Sequence, residues 1–230
     1  MGLIKEPKQP TKPWYHRGVV GKLTSLNRNN RLSKIIKACK IDSESKILDV
    51  GCGPDGRSIP DLIENCYSIT GVDLYPEEHQ KYAHPKFTYI RRDASDLSIF
   101  NSNHFDVGLN FGMMEHINEP LRTQILNEMF RVCKIVAILV PHRFATIESH
   151  FKLPLFSQYP LEVQIALTRT FNLCNNNNRS YSETKERLIN NFHWLSSKEW
   201  QAYFIKSKCY RIYSGPLLLS NLIVYQTIDR

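Results

Sequence analysis

The chain is predicted to fold as an α/β protein with a doubly wound, mostly parallel sheet and helices on both faces. Three observations predict it. Apolar segments of strand length alternate with segments of helical spacing from residue 46 to residue 140, and the crossovers between them are short. Ile135–Val140 is an unbroken run of six apolar residues, which marks a strand covered on both faces. Lys46-Ile-Leu-Asp-Val50 runs straight into the turn Gly51-Cys-Gly53, and an acid, Asp73, closes a second strand about 20 residues later.

The elements follow in order. Residues 1–15 are rich in Pro and Lys with little periodicity and are expected to be poorly ordered. Leu23, Leu26, Leu32, Ile35, Ile36 and Cys39 have helical spacing, interrupted at Asn27–Asn30, so one or two helices should lead into the first strand. Lys46–Val50 is a strand, and Arg57–Cys66 a helix with Pro60 in its first turn, where the missing N–H costs nothing. Ser68–Leu74, Phe87–Arg92 and Phe105–Phe111 are strands. Glu119–Lys134 is the clearest helix, with Leu121, Ile125, Met129 and Val132 on one stripe, Asn118 as N-cap and Pro120 in the first turn. Residues 142–195 break the rhythm with eight aromatic residues, among them Phe151, Phe156, Phe192 and Trp194, and read as an insertion over the strand ends. Ser196-Ser-Lys-Glu199 is a capping box that opens a helix. Two strands, about 208–214 and 221–228, close the chain with Gly215-Pro216 between them.

The length of 230 residues suits one large domain with an insertion, and 42% hydrophobic residues can fill its core. No apolar run approaches the roughly 18 residues of a membrane span. The N-terminus has no apolar signal core, and the six cysteines form no C-x-x-C pair. Free thiols in a reducing, cytoplasmic compartment are expected. The positive charge sits at one end: residues 1–46 hold 11 Lys/Arg against 3 Asp/Glu, whereas residues 47–230 hold 19 of each. This basic arm, residues 1–45, is either a solvated face or a surface for an anionic membrane or a phosphorylated substrate.

The strand, Gly-x-Gly turn, helix and acid form the layout of a nucleotide-cofactor site. Gly51, Gly53 and Gly56 match the pyrophosphate spacing formally. Asp49 and Asp55, however, would repel a pyrophosphate and would suit a ligand carrying a positive ammonium and sulfonium. Asp49-Val-Gly-Cys-Gly53 resembles motif I of class I S-adenosylmethionine-dependent methyltransferases, and the order of later segments strengthens the likeness. Arg92-Asp-Ala94 resembles the segment after the third strand, Met113-Met-Glu-His-Ile117 the stretch after the fourth, and Phe130-Arg-Val-Cys133 the close of the next helix.

The resemblance covers residues 46–140 well and 196–228 loosely. It implies a Rossmann-like, seven-stranded sheet with an antiparallel terminal hairpin, within a methyltransferase domain over 46–230 that carries a substrate-capping insertion at about 142–195. It also implies S-adenosylmethionine as cofactor and S-adenosylhomocysteine as product. Asp49, Gly51, Cys52 and Gly53 would hold the methionine part, Asp73 both ribose hydroxyls, and Asp93 the adenine amine, with Leu74, Ala94 and Asn110 along the same site. Two features depart from the family pattern: Asp55 stands where the tight loop has its third glycine, and the Pro-Gly-Gly turn before strand five is missing.

For the acceptor side, a histidine near its ordinary pKa suits removal of a proton from an oxygen nucleophile. His150, His142 and His116 are the candidates, and Glu148 stands two residues from His150, where it can orient the ring. The segment from Val140-Pro-His-Arg-Phe144 to Leu153-Pro154 resembles one found in methyltransferases of glycan assembly, so a small-molecule or glycan acceptor is expected. Base amino-methylation would show Asp/Asn-Pro-Pro-aromatic where Asn110-Phe-Gly-Met113 stands, and no Pro-Cys pair is present for cytosine chemistry. Nucleic acid is therefore disfavoured. A catechol-type metal site would place an acid where Asn110 lies, so no metal is expected. Two other classes remain as alternatives: a non-catalytic docking module using the basic arm, and a nicotinamide oxidoreductase.

Overall fold

The computed structural model describes residues 32–56, 59–203, 208–213 and 219–226, the last two segments as backbone only. The expectations for residues 1–31, and with them most of the basic arm, lie outside the described residues.

A helix over 32–39 (α1) leads to β1, Lys46–Val50. Then follow α2 (Ile59–Leu62, continued by a 3-10 turn to Asn65), β2 (Ser68–Asp73), β3 (Phe87–Arg91), β4 (Phe105–Phe111), α3 (Leu121–Val132) and β5 (Cys133–Pro141). The remaining elements are α4 (Leu161–Thr170), α5 (Tyr181–Asn191), α6 (Ser197–Ala202), β6 (Lys208–Tyr213) and β7 (Leu219–Gln226). The sheet order is β3-β2-β1-β4-β5-β7-β6. β1 to β5 are parallel, and β7 and β6 add antiparallel to β5.

Alternation along the strands builds the two layers. Ile47 faces one core with Ile35, Cys39, Ile59 and Ile69. Its neighbours Leu48 and Val50 face the other, with Ile125, Met129, Val136 and Trp200. β1 pairs with β2 on one side and β4 on the other, so the chain winds outward in both directions from β1. The carboxyl ends of β1 and β4 therefore border the crevice in which open α/β sheets take their ligands.

Several local expectations need correction. Asn118 does not cap α3: Pro120 holds the N-cap position, and Asn118 contributes its carbonyl oxygen to the Arg122 N–H at 3.0 Å. α3 ends at Val132, because Cys133 already pairs with Phe105 as the first residue of β5. The helix expected over 57–66 is one α turn and one 3-10 turn. The capping box at Ser196–Glu199 is present, and a second one, at Ser180–Glu183, opens α5.

Residues 142–195 build a cluster of their own from Phe151, Phe156, Ile165, Leu188 and Phe192, with Trp194 packed against it. Phe151 stacks on Phe156 at 4.0 Å between ring centroids. The exit of α5 is tied to the turn after β4: the His193 N–H donates to the Glu115 carbonyl at 2.8 Å. Among the described residues no helix is long and apolar enough to cross a membrane.

Candidate active site

The turn after β1 is shaped by backbone. Gly51 (φ 75°) and Gly53 (φ 67°) are in the left-handed region that side chains disfavour. At Gly51 a Cβ would also meet the Met113 sulfur at 2.5 Å, so the chain after β4 closes directly onto this turn. The Gly51 N–H donates to the Val72 carbonyl (2.8 Å), which ties the turn to β2.

Two acids flank the turn. Asp73 ends β2, where its Oδ2 accepts the Gly53 N–H (2.8 Å) and its Oδ1 the Leu74 N–H (2.7 Å). Leu74 itself is 63% exposed. Asp49 is only 3% exposed, and its carboxylate has no hydrogen-bond partner among the described residues. Burial, and then the charge of Asp73, push its pKa up to about 7. A buried acid without a donor is costly as an anion unless a cation joins it. The pair therefore fits a positively charged ligand and opposes a pyrophosphate.

The other expected cofactor residues have the following partners within the protein. Asn110, fully buried, donates its amide to the Val50 carbonyl (2.7 Å) and accepts the Met114 N–H (3.2 Å). It fastens the end of β1 to the turn after β4, and a carboxylate could not make the first of these bonds. Cys52 lies in the core beneath the turn, and burial raises its thiol pKa. Asp93 is exposed, and its Oδ1 accepts the Ser95 N–H (2.9 Å) and hydroxyl (2.8 Å). Ala94 is half-buried against the second core.

On the acceptor side, His150 stands between two buried carboxylates. Its Nδ1 is 2.8 Å from Glu148 Oε1, and its Nε2 is 3.9 Å from Glu115 Oε1. Glu148 also accepts the backbone N–H groups of His150 and Phe151 (2.7 Å each) and the Trp194 indole N–H (3.3 Å). Burial alone would raise its carboxyl; the hydrogen bond and charge of His150, with these donors, outweigh it and hold Glu148 below the usual range. An ionised Glu148 favours the His150 tautomer with the proton on Nδ1, leaving a lone pair on Nε2.

Glu115 and His116 come from the 3-10 turn Met114–His116, directly after Met113. Glu115 is 3% exposed with Oε2 unpartnered among the described residues, and burial pushes its pKa up to about 7. His116 turns Nδ1 to the Asn191 carbonyl at 2.6 Å. Burial holds its pKa below the ordinary value, with nearby His150 acting the same way. The His116 and His150 rings meet edge to face at 4.9 Å, and each packs on Phe192 at 5.3 Å.

The structure thus joins His150, Glu148 and His116 among the expected acceptor-side residues. His142 is buried at the end of β5, and its Nδ1 accepts the Phe144 N–H at 3.0 Å, which engages that nitrogen in a turn. Glu115, read in the sequence only as part of a motif, belongs to the cluster, as do Trp194 and the Asn191 carbonyl. Only the adjacency of Glu115 to His116 signalled any of these.

Comparisons with known proteins agree with this architecture. Residues 48–140 match the methyltransferase domain family. A ubiquinone biosynthesis O-methyltransferase of Vibrio campbellii is 28% identical over 126 residues, 51% of this chain and 52% of the relative. A ribosomal RNA large subunit methyltransferase E of Brachyspira hyodysenteriae is 35% identical over 77 residues, 32% of this chain and 38% of the relative. The chain thus spans about half the length, or less, of these curated relatives. Two solved structures share the fold, both with bound S-adenosylhomocysteine. One is a 1,6-didemethyltoxoflavin-N1-methyltransferase of Burkholderia thailandensis, with TM-score 0.55, 14% identity, and coverage of 87% of this chain and 78% of that one. The other is a magnesium protoporphyrin IX methyltransferase of Synechocystis, with TM-score 0.53, 10% identity, and coverage of 92% and 90%.

Proposed function

We propose that the protein is a class I S-adenosylmethionine-dependent methyltransferase that methylates a hydroxyl of a small-molecule or glycan acceptor, a reading supported by the match of residues 48–140 to the methyltransferase domain family. The bound cofactor supplies an electrophilic methyl on a sulfonium. Asp49 would meet the ammonium of its methionine part, Gly51 and Gly53 would let backbone pass close to it, and Asp73 would accept from the ribose hydroxyls. Leu74 would line the same site, and Asp93 would hold the adenine amine.

One observation carries the choice of oxygen: the Glu148–His150 pair, with Nδ1 2.8 Å from the carboxylate, an arrangement that leaves Nε2 to accept a proton. His150 takes the acceptor's proton at Nε2 while Glu148 stabilises the resulting imidazolium. Neither charge needs to reorganise during transfer, and positioning supplies much of the remaining rate. The activity named for the Vibrio relative, O-methylation, supports the same reading. The insertion carries Glu148, His150 and Trp194, so it acts as the substrate cap. Residues 1–45 would serve an anionic membrane or a phosphorylated acceptor, as an additional docking surface.

Two experiments test this. With methyl-labelled cofactor and a panel of phenols, hydroxylated glycans, amines and RNA, label is expected as methyl ether on a hydroxyl acceptor. Label confined to amines or RNA would overturn the proposed acceptor class. Asp73→Ala is expected to weaken S-adenosylhomocysteine binding by about 2–3 kcal/mol, the scale of charged hydrogen bonds. Unchanged affinity in the folded variant would remove Asp73 from the site.

A further inference from the structure

We propose that Glu115, His116 and His150 form a binding site for one divalent transition-metal ion of the zinc or cobalt(II) class. The ligand atoms of the three residues lie within 4.8 Å of one another. Within this set, His150 Nε2 lies 3.9 Å from Glu115 Oε1. Metal–ligand bonds of about 2.0–2.1 Å in a tetrahedral site need donors somewhat closer than this. A small rotation of the side chains therefore closes the set.

The surroundings are those of a metal site in three further respects. Both imidazoles already use Nδ1 on an oxygen, His116 on the Asn191 carbonyl (2.6 Å) and His150 on Glu148 (2.8 Å). Such partners fix the ring and leave Nε2 as the donor. Glu115 presents a buried Oε2 with no partner among the described residues. A cation would satisfy it. The edge-to-face contact of the His116 and His150 rings, 4.9 Å between centroids, also holds both imidazoles side by side.

Two nitrogens and one carboxylate select a borderline ion over magnesium or calcium, which take oxygen ligands. Three protein ligands leave a position open, as in reactive sites. His116 and His150 are only half-buried, so the cluster is reachable from outside. The ion's use would deepen the proposed function, and only that consequence rests on the methyltransferase reading: an acceptor hydroxyl bound at the open position would release its proton to solvent water, with His150 as a ligand instead of a base. The sequence argument against a metal considered an acid at the end of β4. The ligands come instead from the turn after β4 and the loop after β5.

The test uses the full chain, stripped with chelator. Cobalt(II) is added with visible absorption as readout, and zinc chloride in a calorimeter. One equivalent is expected to bind, with the ligand-field bands of a low-coordinate site. Glu148→Gln, which keeps the side chain but alters the carboxylate behind His150, is expected to weaken binding about 10–100-fold. His116→Ala and Glu115→Gln are expected to weaken it more. A cooperative thermal melt and the circular dichroism of each variant show whether it is folded, and His116→Asn replaces His116→Ala if the latter is not. No cobalt binding by protein that binds S-adenosylhomocysteine would overturn the metal site and leave the methyltransferase reading standing. Binding that persists unchanged in both His116 and Glu115 variants would also overturn it. Cobalt binding by folded protein that ignores S-adenosylhomocysteine would do the reverse, upholding the ion site and removing the methyltransferase reading.

Discussion

His150→Gln is expected to lower kcat by about 10²-fold or more while leaving the affinity for S-adenosylhomocysteine at the parent value. Glutamine keeps much of the side-chain reach, so the aromatic packing on Phe192 should survive largely intact. It cannot accept a proton at the position of Nε2. Assayed on chelator-treated protein, the loss reports the base alone, because no ion is then present for His150 to hold. Glu148→Gln should lower kcat less, since it weakens the orientation of His150 and the stabilisation of its cation but keeps the ring. The informative comparison is single-turnover transfer at saturating cofactor, which separates chemistry from binding. Full activity in His150→Gln would show that this imidazole removes no proton. The role would then pass to His116, or to no protein group at all.

The second large effect concerns Asp49. Its pKa stands at about 7 in the cofactor-free protein, against 3.8 for an unperturbed group, through burial first and the charge of Asp73 second. A cationic ligand reverses both causes by giving the carboxylate a partner. Binding must therefore release a proton whenever Asp49 starts protonated. Below about pH 7 the affinity should fall by up to about tenfold per pH unit; above it, the affinity should level off. The same group leaves a mark on stability. Because its folded pKa is raised, its contribution to the empty fold is present below about pH 4 and is lost as pH rises through about 7. S-adenosylhomocysteine should then raise the melting temperature more at pH 8 than at pH 5.5. Asp49→Asn should bind about 2–3 kcal/mol more weakly at pH 8 and lose the pH dependence. Calorimetry in two buffers of different ionisation enthalpy counts the released proton directly. A parent protein whose affinity is flat from pH 5.5 to pH 8 would contradict this assignment.

What the sequence made legible was local. Asp49, the Gly51–Gly53 turn and Asp73 lie at the ends of two strands that are consecutive and adjacent in the sheet. Their relation follows from one strand–helix–strand unit, so periodicity and turn residues suffice to find them. Glu148 and His150 are two residues apart and needed no fold to be paired. The rest of the cluster depended on long-range packing. Glu115 meets His150 only because the loop after β5 folds back over the turn after β4. Asn191 and Trp194 arrive from the far side of the insertion, and nothing in their spacing predicts a contact with His116 or Glu148. Asn110 was found from its position at the end of β4, but its amide also fastens the β1 end to the Met114 N–H, a pair of bonds that the spacing did not foretell. Asn118 was misread because helix propensity was extended two residues too far, past Pro120, which itself takes the N-cap position.

The central claim is that the crevice at the end of β1 takes an adenosyl cofactor whose methionine part carries an ammonium. Titration calorimetry of the full chain at pH 8 with S-adenosylhomocysteine, and separately with NAD, tests it most directly. One equivalent of S-adenosylhomocysteine should bind with saturable heat, and NAD should give none, because Asp49 and Asp55 oppose its pyrophosphate. Saturable binding of NAD, or folded protein that gives no heat with S-adenosylhomocysteine, would contradict the account.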